Sequence, residues 1–283
     1  MSLRSLGERR RGGRVHGVFY LLHPGPSVLV TLTFVAVTSL ALRGVPGPGR
    51  MLQLVGLMLP LQFAIGVLND VCDVQEDAVA KPYRPLVRGA VSRRNAAVLG
   101  VGLIVLGLAD AATLGVPVLV FAAGGCAAGV AYDAGLRRTP LSLLPWWGGM
   151  LMLPLAAFAV AGRVDAGVVP ALPLALLIAT SLHCANAYPD IDADRAAGIE
   201  SFPALLGRRS AWVMMLASGV ATAVLGTTVW RPADAGVALW TATGALGVAL
   251  LAVAALRLQR PFPLLAVATA VFAIAWIAGL ALN

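Results

Sequence analysis

The chain has 283 residues, of which 59% are hydrophobic and only 12% charged, with a mean hydropathy of +0.86. That composition excludes an ordinary soluble globular domain and makes lipid the expected solvent. The net charge of +8 at pH 7 arises from basic residues scattered between apolar stretches, so no continuous basic surface for a nucleic acid is expected.

In chain order, residues 1–18 begin MSLRSLGERRRGGR and have no convincing small-residue cleavage site, which predicts a retained basic cytoplasmic tail. Residues 19–283 are expected to form a single transmembrane domain. A bilayer needs roughly 20 apolar residues per helix, and such stretches recur near 25–43, 51–69, 95–114, 116–133, 141–162, 167–189, 210–230, 235–256 and 262–281. No period-2 alternation argues for a barrel, so the fold class is all-α, a polytopic bundle of nine transmembrane helices. Cys72, Cys126 and Cys184 lack C-x-x-C spacing and imply neither a disulfide framework nor a zinc site.

Assigning the loops alternately to the two sides puts 17 of the 21 Lys and Arg on one side, leaving only Arg43, Arg50, Arg163 and Arg231 on the other. Positive loops stay cytoplasmic, so the N-terminus is expected inside and Asn283 outside. The Ala, Gly, Val and Arg bias suggests a bacterial cell membrane.

Eight of the thirteen acidic residues fall in two clusters on the cytoplasmic side, Asp70, Asp73, Glu76 and Asp77 after the second span and Asp190, Asp192, Asp194 and Glu200 after the sixth. Carboxylates near lipid are expensive and tend to be kept for a task. The clusters repeat each other. Asn69, Asp73 and Asp77 have the spacing N-x-x-x-D-x-x-x-D, and so do Asn186, Asp190 and Asp194, 117 residues later. The tails Pro85-Leu-Val-Arg-Gly89 and Pro203-Ala-Leu-Leu-Gly207 also match, which predicts two related four-helix halves with one helix in front. Internal repeats in membrane proteins commonly place the site at their interface.

Residues four apart share a helix face, so each string aligns an Asn and two Asp, and Asp70 joins the first face. Such oxygen ligands suit Mg²⁺, and the three histidines, His16, His23 and His183, are not paired at metal-binding spacing. Lys81, Arg84, Arg88, Arg137, Arg138, Arg195 and Arg208 surround the acids. Two Mg²⁺ with a diphosphate and a few of these cations would balance the charge, and the apolar bundle above predicts a hydrocarbon chain on that ligand.

The strings NDVCDVQED at 69–77, KPYRPLVRG at 81–89 and DIDADRAAGIESFPALLG at 190–207 resemble the two motifs of the UbiA superfamily of intramembrane prenyltransferases. The resemblance implies that Asn69, Asp70, Asp73, Asp77, Asn186, Asp190 and Asp194 hold two Mg²⁺ on a prenyl diphosphate. It implies that Lys81, Arg84, Arg137 and Arg138 stabilise the departing pyrophosphate. Tyr132 and Tyr188 would shield the allylic cation, which a small aromatic or lipophilic acceptor then attacks. Where the family often carries Tyr and a Lys four residues on, this chain has Tyr132 and Leu136, followed by Arg137 and Arg138. Its first span opens LLHPGPS, without the Arg and Asp that members using 4-hydroxybenzoate tend to carry, so the nature of the acceptor is left open. A membrane terpene cyclase, which needs no acceptor, uses the same metal ligands. A secondary transporter fits less well, because no midplane ionisable cluster is evident.

Other residues have plainer explanations. Asp110 lies about a turn from the outer end of its span and is expected to reach water. His183 shares a face with Asn186 and Asp190, which leaves contact with acceptor or water open beside the plainer reading of helix packing; Trp146 and Trp147 either line a hydrocarbon cavity or, more plainly, form an interfacial belt; His23 is the weakest functional candidate.

Overall fold

The computed structural model describes residues 14–164, 169–232 and 236–281, so most of the expected basic tail lies outside the described residues. Every regular element among them is helical: α1 (Arg14–Leu21), α2 (Pro24–Ala41), α3 (Pro48–Ala80), α4 (Arg93–Thr113), α5 (Val116–Ala134), α6 (Leu143–Val160), α7 (Ala171–Ala187), α8 (Ile191–Ala196), α9 (Phe202–Thr228), α10 (Val237–Leu256) and α11 (Phe262–Ala281). Two short 3₁₀ turns, Leu136–Arg138 and Pro140–Ser142, connect α5 to α6. Eight of the described helical segments are long and apolar enough to cross a membrane; the helix found at the sixth expected span, α7, is apolar but has only 17 residues. It is about 25 Å long, short of the roughly 30 Å hydrocarbon core.

Helix starts follow local chemistry. Ser92 and Ser201 cap α4 and α9 by accepting from the backbone N–H of Asn95 and Ala204, and Pro24 and Pro48 stand in first turns where their missing N–H is harmless. Within the spans, hydroxyls such as those of Thr31, Thr38, Thr222 and Thr227 donate to carbonyls four residues back, which satisfies them without water.

The long helices pack in sequence order into a closed ring, from α2 through α3, α4, α5, α6, α7, α9, α10 and α11 back to α2. Each half contributes two hairpins, α3–α4 with α5–α6, and α7–α9 with α10–α11, while α2 joins the two halves. Close approach is built in at Gly107 of α4, where a Cβ would stand 2.8 Å from the Leu57 carbonyl oxygen of α3. Phe34, Leu57, Met215, Leu246 and Phe272 are fully buried inside the ring, while Leu32, Val105, Val120 and Leu251 face outward as lipid requires.

Two features of the acidic motifs shape the site, the first as the shared helix face suggested and the second against it. The helix of the second span continues past 69 to Ala80, and its 33 residues make α3 about 50 Å long, so the first acidic motif rides on a helix extending past the bilayer core. The second motif is not on one helix. Asn186 ends α7, the chain turns through Tyr188 and Pro189, and Asp194 sits on the separate α8. Pro189 has no N–H to continue the helical ladder, so a face drawn by residue spacing alone does not survive there. Further on, Gly207 takes a left-handed φ of 74° and kinks the start of α9.

Candidate active site

The end of α3, the turns after α5 and the α7–α8 corner converge at one end of the bundle. On α3, Asp70, Asp73 and Asp77 are all buried. Arg84, from the loop after α3, donates to both oxygens of Asp70 at 2.7 and 3.0 Å, and its Nε lies 3.7 Å from Asp77. Lys81 Nζ stands 3.3 Å from Asp77. From the other wall, Arg137 donates to Asp73 at 3.0 Å and to Glu76 at 2.8 Å, and Arg138 also pairs with Glu76. Lys81, Arg84, Arg137 and Arg138 are therefore in direct contact with the acids of the first half, whereas Arg88 is exposed.

The second motif comes to the same place. Arg137, Glu76 and Lys81 all act electrostatically on Asp194, and burial, followed by the charge of Asp190, pushes the Asp194 carboxyl above the usual carboxylate range. Burial works against the Arg137 charge, but Asp73 and Glu76 outweigh it and raise its pKa above the ordinary value. Asp190 itself is exposed. Two bonds clamp the second half to the linker after α5: the Glu200 N–H donates to the Arg138 carbonyl at 3.1 Å, and the Phe202 N–H to Ser142 Oγ at 2.8 Å. Ser142 also bonds His183 at 2.9 Å. His183 is thus buried and held at Nε2, while its Nδ1 has no hydrogen-bond partner among the described residues.

Beneath the charged cluster lies a cavity of about 880 Å³. His23, Asn69, Tyr132, Asp133 and Asn186 give it a polar mouth, and the rest of its wall is predominantly apolar, interrupted by Ser27, Thr33, Gln62 and Thr269. The two motif asparagines therefore stand at the boundary between charge and hydrocarbon. Tyr132 packs edge-on against Trp146 and His183, and Trp146 meets Phe262 across the cavity wall. Trp146 lines the cavity, whereas Trp147 donates to the Leu172 carbonyl and does not line it.

The placements also correct the sequence reading. Tyr188 is not at the cavity; it packs on Trp212, with Arg208 4.4 Å above its ring. Arg208 reaches Asp192, and Arg195 donates to the Ala204 carbonyl, so both act within the second motif's own loop. His23, ranked last from sequence, is central: its left-handed backbone (φ 46°) turns the chain between α1 and α2, and Nε2 lies 3.0 Å from Asp70. Asp133 was missed altogether. It is buried on α5, accepts from Asn69 Nδ2 at 3.0 Å, and has one oxygen with no hydrogen-bond partner among the described residues. A lone Asp in the last turn of a helix carries no spacing signal, and only the packing of α3 on α5 brings it to Asn69.

Among the described residues, no three carboxylate, histidine or cysteine side chains converge into a preformed metal cage. The oxygens turn instead to Lys81, Arg84 and Arg137. The donor set nonetheless fits a hard divalent cation, being all carboxylate and amide oxygen. Asp73 Oδ1 is buried and forms no hydrogen bond of acceptable geometry, although Arg137 Nη2 comes within 2.6 Å of it.

Fold and site define an integral membrane enzyme whose charged mouth opens onto a hydrocarbon-lined chamber. The chain belongs to the UbiA prenyltransferase family, whose model matches residues 29–273, and it is an enzyme of the prenyl-transferring class. It is 33% identical over 219 residues to the digeranylgeranylglyceryl phosphate synthase of Natronomonas pharaonis, covering 76% of this chain and 77% of that one. The synthase of the same name from Pyrococcus abyssi is 29% identical over 77% of this chain and 78% of its own length. Among solved structures, a UbiA homologue from Archaeoglobus fulgidus bound to GPP and Mg²⁺ superposes with a TM-score of 0.68 over 92% of this chain and 99% of that one, at 17% identity.

Proposed function

We propose that the chain ionises a prenyl diphosphate at the charged mouth and transfers the prenyl group to a lipophilic acceptor. The observation that carries this reading is the junction itself, with paired carboxylates and guanidinium groups directly above an apolar cavity of about 880 Å³. Asn69, Asp70, Asp73, Asp77, Asn186, Asp190 and Asp194 would hold Mg²⁺, two ions in this reading. Mg²⁺ supplies charge neutralisation that makes diphosphate a better leaving group. Lys81, Arg84, Arg137 and Arg138 donate to the diphosphate oxygens, as charge-assisted bonds favour. The allylic C–O bond breaks, its electron pair leaves with the diphosphate, and the acceptor's electron pair forms the new bond while the acceptor gives up a proton. Tyr132 and Trp146 face the cavity and present aromatic rings to the cation; Tyr188, occupied by Arg208, is given no such role.

The names of the relatives support a glyceryl phosphate lipid as acceptor over a small aromatic ring. The lopsided distribution of Lys and Arg supports a cytoplasmic site and N-terminus, with Asn283 outside, counting the short α7 as a crossing. These relatives are archaeal, so the bacterial assignment rests on composition alone.

The test is mass spectrometry of products from membranes containing the protein, given Mg²⁺ and prenyl diphosphates with a prenylated glyceryl phosphate, with an aromatic acid, or with no acceptor. A prenylated glyceryl phosphate product is expected. Hydrocarbon release without acceptor would replace transfer by cyclisation, and no Mg²⁺-dependent pyrophosphate release in any arm would refute the assignment.

A further inference from the structure

Resting on the prenyl diphosphate reading, we infer that Asp133 is the positioning residue that fixes the amide of Asn69 with its oxygen free for Mg²⁺, and so sets how tightly the first motif holds the metal. Asp133 belongs to neither acidic motif. Its side chain is 6% exposed, yet among the described residues no Lys or Arg forms an ion pair with it. Asp70, Asp73 and Asp77, by contrast, each meet a cation. A buried carboxylate without a cation is costly unless another donor serves it. Here that donor is Asn69 Nδ2 at 3.0 Å.

The contact is built by two helices that run in the same direction, since α3 and α5 both climb toward the charged mouth. One turn below it, Gly129 of α5 lies so close to α3 that a Cβ there would stand 2.7 Å from Ile65 Cδ1. Asn69 and Asp133 are each four residues further on, one turn nearer the charged end. The approach that glycine permits below therefore brings amide and carboxylate within bonding distance above.

An asparagine amide carries an oxygen on one arm and an N–H₂ on the other, and only the oxygen binds a hard cation. A half-turn about the last side-chain torsion exchanges the two arms at little cost. A carboxylate offers acceptors alone, so Asp133 selects the arm. With Nδ2 engaged, Asn69 Oδ1 accepts nothing among the described residues, and the bond to Asp133 uses no atom of Asn69 that a metal would take. Asn186, the counterpart in the second motif, is exposed and forms no hydrogen bond among the described residues. The two motifs thus match in spacing and differ in preparation. Groups that orient a metal ligand in this way typically change metal affinity about 10–100-fold, which makes the first motif the tighter half.

The experiment measures Mn²⁺ binding to the full chain in nanodiscs, with a non-ionising prenyl thiodiphosphate present, by electron paramagnetic resonance against empty nanodiscs. It compares wild type, Asp133→Asn, Asn69→Ala and the double variant, each first shown to unfold cooperatively in chelator. Asp133→Asn keeps the shape and a hydrogen bond but can offer either arm, and it should weaken Mn²⁺ binding at least about fivefold. Asn69→Ala should weaken it by at least as much. The double variant should lie within about twofold of Asn69→Ala, because Asp133 acts through that amide alone. The Mg²⁺ concentration for half-maximal pyrophosphate release should rise in Asp133→Asn by the same factor as the Mn²⁺ loss. Asp133→Ser, whose hydroxyl also both donates and accepts, takes the same place in the cycle if Asp133→Asn does not fold. A loss smaller than about fivefold in the folded single variant would overturn the inference. So would a double variant weaker than Asn69→Ala by more than about twofold, which would make Asp133 a metal ligand or a remote charge in its own right. Failure of the wild type to bind Mn²⁺ would instead overturn the prenyl diphosphate reading beneath it.

Discussion

Replacing Arg137 by alanine perturbs the joint that brings the two halves of the site together. Its guanidinium lies 2.6 Å from Asp73 and 2.8 Å from Glu76, with side chains 17%, 11% and 41% exposed in that order. Removing one member of a buried pair strands the other charge, at a cost of about 3–5 kcal/mol. The exposed arm to Glu76 adds no more than about 1 kcal/mol, because water screens it. Since neither Arg137 nor Asp73 is wholly enclosed, a loss near the lower bound is expected, about 3 kcal/mol, or roughly 100-fold in the folding equilibrium. Reversible unfolding in mixed detergent micelles with chelator present would measure it. If the penalty is the stranded carboxylate, Asp73→Asn in the Arg137→Ala background should restore about 2 kcal/mol, a coupling within the range of contacting pairs. Destabilisation by Arg137→Ala below about 0.5 kcal/mol, the scatter of ordinary surface substitutions, would refute the reasoning. So would a double variant no more stable than the single.

Asp190→Ala separates chemistry from folding: the residue is exposed, so stability should change by less than about 0.5 kcal/mol while Mg²⁺-dependent pyrophosphate release is lost, as paired unfolding and release assays would show. The raised Asp194 pKa makes a signed pH prediction. Between the unfolded value near 3.8 and the higher folded value, the unfolded chain gives up its proton first, so this group's contribution to stability falls as pH rises. In chelator, Asp194→Asn should therefore be more stable than wild type at pH 7, with the advantage vanishing below pH 3.8; thermal unfolding across that range would detect it. Gly107→Ala should destabilise by about 1–3 kcal/mol, the cost of overpacking, because the new methyl group meets the Leu57 backbone oxygen, which cannot rotate away; the same unfolding assay reads it.

The sequence by itself determined that this is a helical membrane protein with two matched acidic motifs, because lipid leaves apolar length and costly carboxylates as conspicuous, local signals. It also placed Lys81, Arg84 and Arg137 beside the acids, since those cations follow within a few residues of a helix end. Tertiary structure decided what no spacing encodes. It fixed which helix faces meet, so Asp133 and His23 join Asn69 and Asp70 from distant segments, while Tyr188 turns to Arg208 instead of the cavity. It broke the second motif at Pro189, where a missing N–H outweighs a pattern of fours. Cavity depth was likewise out of reach of the sequence, because it is a property of the space between six helices and belongs to none of them alone.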